Sequence, residues 1–213
     1  MFLKKIILCD FDGTIVTHDT AEYILENFTK ENWKIYDEML EKGELSLEEA
    51  IIKQFKLITI SKEKIIEVLE KTTFFLPNFE KFVKYCKKNS LTLKIVSAGL
   101  DFVIEHFIQK IDKIEIYAAK TINTDEGIEV VFDQFQNDKS LDFKNDIVRS
   151  YKRCNYVVYY IGDSSSDYGA VKEAELSFVV KSSKLHSYCL NRNITHFPFT
   201  NYEEIINYFE KLD

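Results

Sequence analysis

Along this chain, short runs of β-branched and aromatic residues alternate with stretches whose apolar positions recur at helical spacing. The runs lie at 3–9, 91–97, 114–119, 128–132, 156–161 and 176–180, and each has the length and composition of one strand. Between most of them the spacing predicts helices over 79–89 ("FEKFVKYCKKN"), 101–110, 144–152, 165–174 and 201–211. Strands and helices in alternation predict an α/β fold, a Rossmann-like three-layer core with a mainly parallel sheet. The runs 114–119 and 128–132 flank "NTDEG", a polar turn with Gly127, and that pair reads as an antiparallel hairpin.

From about 19 to 75 the alternation stops. Only amphipathic helical stretches occur there, "TAEYILENF", "SLEEAIIKQFKLI" and "SKEKIIEVLEKT". Ser46 and Ser61 are placed to cap two of them. Glu49 follows Ser46 at the distance a capping box needs, while Lys64 holds the equivalent place after Ser61. The expectation is a helical cap, residues 18–75, inserted after the first strand of a core made of 1–17 and 76–213. Pro77 marks the return to the core, in a place suited to a helix start.

Composition narrows the class. The chain has 213 residues, 46% hydrophobic and 30% charged, with two prolines and six glycines, as in a folded globular protein. A net charge of −7 argues against nucleic acid or an anionic membrane as the main partner. The apolar run at the start is too short for a signal peptide, and no stretch is long enough to span a bilayer. Cys9, Cys86, Cys154 and Cys189 are scattered, without CxxC or zinc spacing, and Cys9 and Cys86 sit in apolar patterns as buried thiols. The expected setting is the reducing cytoplasm.

Polar residues at strand ends carry the candidate chemistry, because ligands of open parallel sheets bind outside the carboxyl ends of the strands. Asp10 and Asp12 follow the first run, Ser97 follows "LTLKIV", Asp163 and Asp167 lie in "GDSSSD" after "VVYYI", and Lys144 begins a helix after the hairpin. Carboxylates gathered in one pocket repel one another, and a hard divalent cation with oxygen ligands such as Mg²⁺ offsets that repulsion. A calcium loop starting at Asp10 fails, because Ile15 and Ala21 occupy the places that need Gly and Glu. A receiver-type signalling domain also gathers acids, a hydroxyl and a Lys. Its phosphoacceptor follows the third strand, however, and it lacks a helical insertion.

In order along the chain, Asp10-Phe11-Asp12-Gly13-Thr14, Ser97, Lys144 and Gly162-Asp163 with Asp167 resemble the four motifs of the haloacid dehalogenase-like superfamily of phosphohydrolases. D-x-D-G-T alone arises by chance in about one chain in several hundred at ordinary residue frequencies. The resemblance covers the whole chain and places it in the phosphoserine-phosphatase-like branch. "VSAGLDFVIEHFI", "FKNDIV", "IGDSSSDYGAVKEAELSFVV" and "ITHFPFTNYEEI" are most similar to the methionine-salvage phosphatases of that branch.

The resemblance implies an Mg²⁺-dependent phosphomonoesterase acting on a small phosphorylated metabolite. Asp10 would be the nucleophile and Asp12 the proton donor and then acceptor. Ser97, the amides of Ala98 and Gly99, and Lys144 would hold the phosphoryl group. Asp10, the main-chain carbonyl of Asp12, and Asp163 would surround the metal, with Asp167 acting through water or by orienting Lys144. Asp19 and Gln54 stand where phosphoserine phosphatases carry a Glu and an Arg that grip the amino acid. An amide cannot give a substrate carboxylate charge-assisted bidentate bonds, so L-phosphoserine is disfavoured. Unlike the salvage enzymes, "FQNDKSLDF" has no cysteine-rich stretch, and Lys139 competes with Lys144 as the third-motif lysine. The alternatives are a phosphoserine phosphatase, a phosphotransferase of the same branch and a non-catalytic binding protein on the fold. His18 reads as a surface residue, and Trp33, Tyr36 or Phe55 could close over a substrate.

Overall fold

The computed structural model describes residues 4–124, 127–132 and 142–211. Its strands are β1 (Lys4–Cys9), β2 (Thr92–Leu100), β3 (Glu115–Thr124), β4 (Gly127–Val131), β5 (Tyr156–Gly162), β6 (Leu176–Val180) and β7 (His196–Phe199). They form one sheet in the order β4-β3-β2-β1-β5-β6-β7, parallel throughout except for the β3–β4 hairpin. β1 lies between β2 and β5, so Ile6 to Cys9 are fully buried. Burial on both faces is why this strand reads as a continuous apolar run and not as an alternation.

Four helices, α1 (Thr20–Phe28), α2 (Lys34–Glu41), α3 (Leu47–Phe55) and α4 (Lys62–Thr72), follow β1 before the chain reaches α5 (Phe79–Lys88) and β2. Ser46 caps α3 in a complete capping box with Glu49, and Ser61 caps α4 through Lys64 N–H alone, as their spacings predict. The chain leaves the sheet and returns to it along two segments held side by side. Thr17 N–H donates to Phe74 O, Leu76 N–H donates to Ile15 O, and Val16 pairs antiparallel with Phe75. Trp33 and Phe55 are buried in the hydrophobic core, whereas Tyr36 is half-buried.

After β2 come α6 (Asp101–Ile108), α7 (Phe143–Arg153), α8 (Tyr168–Glu173), α9 (Lys184–Asn191) and α10 (Tyr202–Glu210). α9 and β7 escape the sequence reading. β7 is four residues long and carries Pro198, which a strand tolerates at a sheet edge, and β7 is the edge. α9 is short with a weak apolar stripe, and its start is marked only by Ser183 accepting from His186 N–H. Pro77 is not the first helical residue: Asn78, at φ 66°, holds the N-cap place of α5 without a side-chain bond to it, and Pro77 O accepts from Tyr202 N–H. Cys9, Cys86 and Cys189 are buried free thiols, and Cys154 is exposed. No helix among the described residues is long and apolar enough to cross a membrane.

Candidate functional site

The central strands place the site. Asp10 follows the end of β1 and its N–H donates to Ile161 O of β5, which sets it beside Asp163 just past β5. Ser97 lies in the last part of β2, where the pairing with β3 shifts between Val96 and Leu100. Lys144 is the second residue of α7, whose first turn is capped by Asp142 accepting from Asn145 N–H. These positions bring Asp10, Asp163 and Asp167 together, with carboxylate oxygens within 4.8 Å of one another.

Lys144 is fully buried and binds three groups, Asp10 Oδ1 at 2.9 Å, Asp167 Oδ1 at 2.8 Å and Ser166 Oγ at 2.9 Å. Burial alone would lower its pKa, but the two carboxylates outweigh that and hold the ammonium above its ordinary range. Lys139 lies outside the described residues.

Each carboxylate is held differently. Asp10 Oδ1 also accepts from Phe11 N–H at 2.8 Å. Asp12 Oδ1 accepts from the N–H and the hydroxyl of Thr20, at 2.8 and 2.5 Å. Asp163 Oδ1 accepts from Thr14 Oγ1 at 3.2 Å. In all three residues Oδ2 has no hydrogen-bond partner among the described residues. In Asp167 both oxygens are engaged. Oδ1 accepts from Lys144 and from Tyr160 Oη at 2.6 Å, and Oδ2 accepts from the N–H groups of Asp163 and Ser164, each at 3.0 Å.

Two glycines keep the free oxygens open. Gly13 has φ +66°, and a Cβ there would run into Asp163 Oδ2. A Cβ on Gly99 would lie 2.6 Å from Asp12 Oδ2 and 3.3 Å from Ser97 Oγ, so these two oxygens border one small space. Gly99 N–H donates to Ser97 Oγ at 3.0 Å, which leaves the hydroxyl proton for another acceptor.

The cost of enclosing these acids appears in their protonation. Burial first, and then Asp167, push Asp10 well above the ordinary carboxylate range, against the pull of Lys144. Burial and then Asp19 push Asp12 up to about 7, against its bonds from Thr20. Burial and then Asp167 push Asp163 up to about 7. A hard divalent cation suits this set: all the donors are oxygen, Asp10 and Asp163 each present an unbonded one, and the repulsion that raises both acids is what a cation relieves.

Asp19 is exposed and caps α1, its Oδ1 accepting from Glu22 N–H at 2.8 Å. Gln54 is buried and its amide donates to Asp37 at 2.7 Å. His18 is only half-exposed, its Nε2 is enclosed without a hydrogen-bond partner among the described residues, and its ring packs edge-on against Tyr23. Sequence reasoning missed Thr20, Tyr160, Ser166 and Tyr202. Tyr160 sits inside an apolar strand, and the Tyr202 hydroxyl donates to Thr14 O at 3.1 Å from far along the chain. Neither carries a local signal.

The model of the haloacid dehalogenase-like hydrolase family matches residues 7–172. A 2-hydroxy-3-keto-5-methylthiopentenyl-1-phosphate phosphatase of Lysinibacillus sphaericus (strain C3-41) is 28% identical over 99% of this chain and 96% of its own length. Pdp3-interacting factor 1 of Schizosaccharomyces pombe (strain 972 / ATCC 24843) is 28% identical over 97% of this chain and 95% of its own. Among solved structures, a substrate-bound phosphoserine phosphatase complex has a TM-score of 0.72 at 20% identity, covering 98% of this chain and 99% of that one.

Proposed function

The chain belongs to the haloacid dehalogenase-like hydrolases, and from that premise we propose that it is a phosphomonoesterase that works through a phosphorylated Asp10. One carboxylate oxygen of Asp10 attacks phosphorus in line. The P–O bond to the leaving group breaks, and Asp12 passes a proton to the departing oxygen. Water then attacks the aspartyl-phosphate, giving its proton to Asp12, and phosphate departs as Asp10 is restored.

One observation supports this reading above the others. Asp10 and Asp12 each have one oxygen tied and one free, and they differ in what ties them. Asp10 faces the Lys144 ammonium at 2.9 Å, which pulls toward the ionised form a nucleophile needs, against the burial that raises it. Asp12 faces none at contact distance and lies at about 7, where it can both give and take a proton. Lys144 and the Ser97 hydroxyl would offset charge on the phosphoryl oxygens, together with the amide of Ala98, whereas the Gly99 N–H is engaged by Ser97 Oγ and would orient that hydroxyl instead. Asp10, Asp163 and the Asp12 carbonyl would hold Mg²⁺, which when bound supplies positive charge to the phosphoryl group and the nucleophile. Asp167, with both oxygens engaged, would hold Lys144 and the Asp163 loop in place. Residues 18–75 would act as a cap that shuts out water.

The substrate we favour is a small ester whose remainder carries no negative charge. Asp19 and the Asp37–Gln54 pair present carboxylates on the cap side, which oppose a second anion. The salvage intermediate named for the Lysinibacillus relative has hydroxyl, keto and methylthio groups and fits that requirement, whereas phosphoserine does not. The test is phosphate release from a panel holding that intermediate, phosphoserine, sugar phosphates and an aryl phosphate, with and without Mg²⁺. Wild type should release phosphate only with Mg²⁺, and Asp10→Asn should lose on the order of 10⁴-fold or more. Release that survives Asp10→Asn would sink the nucleophile assignment.

A further inference from the structure

Thr20 is the first residue of α1 and is 1% exposed. Its main-chain N–H and its hydroxyl converge on the same oxygen of Asp12. Two donors from different directions fix both the position and the rotation of the carboxyl group, and the rotation chosen turns Oδ2 toward Gly99 and Ser97. The Thr20 N–H is one of those at a helix start with no acceptor inside the helix, and the positive end of the helix favours an acidic partner there. Asp12 belongs to the turn that follows β1, whereas Thr20 belongs to the first helix beyond it.

We propose that Thr20 is the positioning residue for Asp12, aiming its free oxygen at the leaving group and tying that aim to the seating of α1. The proposal rests on the phosphatase reading. Losing the hydroxyl leaves Asp12 with the N–H bond alone, about which the carboxyl can turn. An alkyl ester, whose leaving oxygen needs the proton as the P–O bond breaks, should then suffer most. An aryl ester expels a stable phenolate without help, so phosphorylation of Asp10 should proceed, while attack by water still needs Asp12 to take a proton.

Thr20→Val and Thr20→Ser distinguish this from a packing role. On an alkyl phosphate, Thr20→Val should lose about 10²-fold in kcat with KM within about twofold, the low end of general acid–base effects. On p-nitrophenyl phosphate it should give a burst of phenolate equal to the enzyme, followed by slow turnover. Thr20→Ser keeps the hydroxyl and should recover to within about threefold. Wild-type behaviour in Thr20→Val overturns the proposal, as does equal loss of burst and turnover that Thr20→Ser fails to repair. If wild type itself hydrolyses neither ester, the phosphatase reading fails, and a crystal structure of Thr20→Val decides the positional claim. Oδ2 turned away from Gly99 upholds it, and an unmoved Asp12 overturns it.

Discussion

Two three-membered charge groups in this molecule have nearly the same geometry and opposite meaning. On α4, Glu67 sits between Lys64 and Lys71 at 2.8 and 3.1 Å, with all three side chains more than half exposed. At the strand ends, Lys144 sits between Asp10 and Asp167 at 2.9 and 2.8 Å, with the side chains 1%, 4% and 0% exposed. Distance therefore does not tell them apart. On the helix, water already solvates each charge and salt screens what remains. In the site each charge has been taken from water, and only the partner and the hydrogen bonds around it offset that loss. A chain seeking stability alone would fill the space with apolar side chains. Keeping three ions and two further acids there points to chemistry as the reason.

The largest break in this comparison should come from Lys144→Met, which keeps the length and removes the cation. Asp10 and Asp167 would remain enclosed without a counter-charge, and the protein should lose about 3–5 kcal/mol, read as a lower urea midpoint at pH 7. An unchanged midpoint would mean that the two acids take up protons at little cost. Activity should vanish with the substitution in either case.

A smaller effect should follow pH and Mg²⁺. Asp12 and Asp163 move from an ordinary 3.8 to about 7 on folding. Between those values the folded protein binds more protons than the unfolded one, so stability falls as pH rises through the window. Without metal, the melting temperature should decline from pH 5 to pH 8. Mg²⁺ favours the ionised acids and should flatten that decline. A metal-free melting temperature that rises over the same range would contradict the enclosure of these carboxylates. The smallest effect belongs to the exposed group: Glu67→Gln should leave the melting temperature unchanged within error, at low and high salt alike. A clear loss would give the α4 charges a structural role that their exposure denies them.

The contrast also sorts what could be read from the chain. Both groups are visible in the sequence as charged residues, but only one lies at the carboxyl ends of strands. The Lys64–Glu67–Lys71 spacing is local, set by helical period, and legible without a fold. Asp10, Asp12 and Asp163 are legible for another local reason, since Asp10 and Asp163 directly follow apolar runs that become central strands and Asp12 lies two residues beyond Asp10. Asp167 and Lys144 are legible only through the order of the motifs, and the contact of Lys144 with two carboxylates is a tertiary fact, while Lys139 lies outside the described residues. The α/β architecture, the helical stretch after β1, the hairpin and the capping box at Ser46 all follow from periodicities of two and 3.6 residues. β7 and α9 do not, because elements so short bury too few residues to leave a period.

By itself, then, the sequence determined the alternation of the longer strands and helices and which carboxylates stand at strand ends, since both depend on neighbours a few residues apart. Only the tertiary structure decided which oxygen of each acid is tied and which is free. Thr14 reaches Asp163 from the turn after β1, Tyr202 reaches Thr14 from the last helix, and Thr20 reaches back to Asp12 across a turn. A side chain's rotation is set by donors that the fold brings within 3 Å or so, and no periodicity along the chain records where those donors come from.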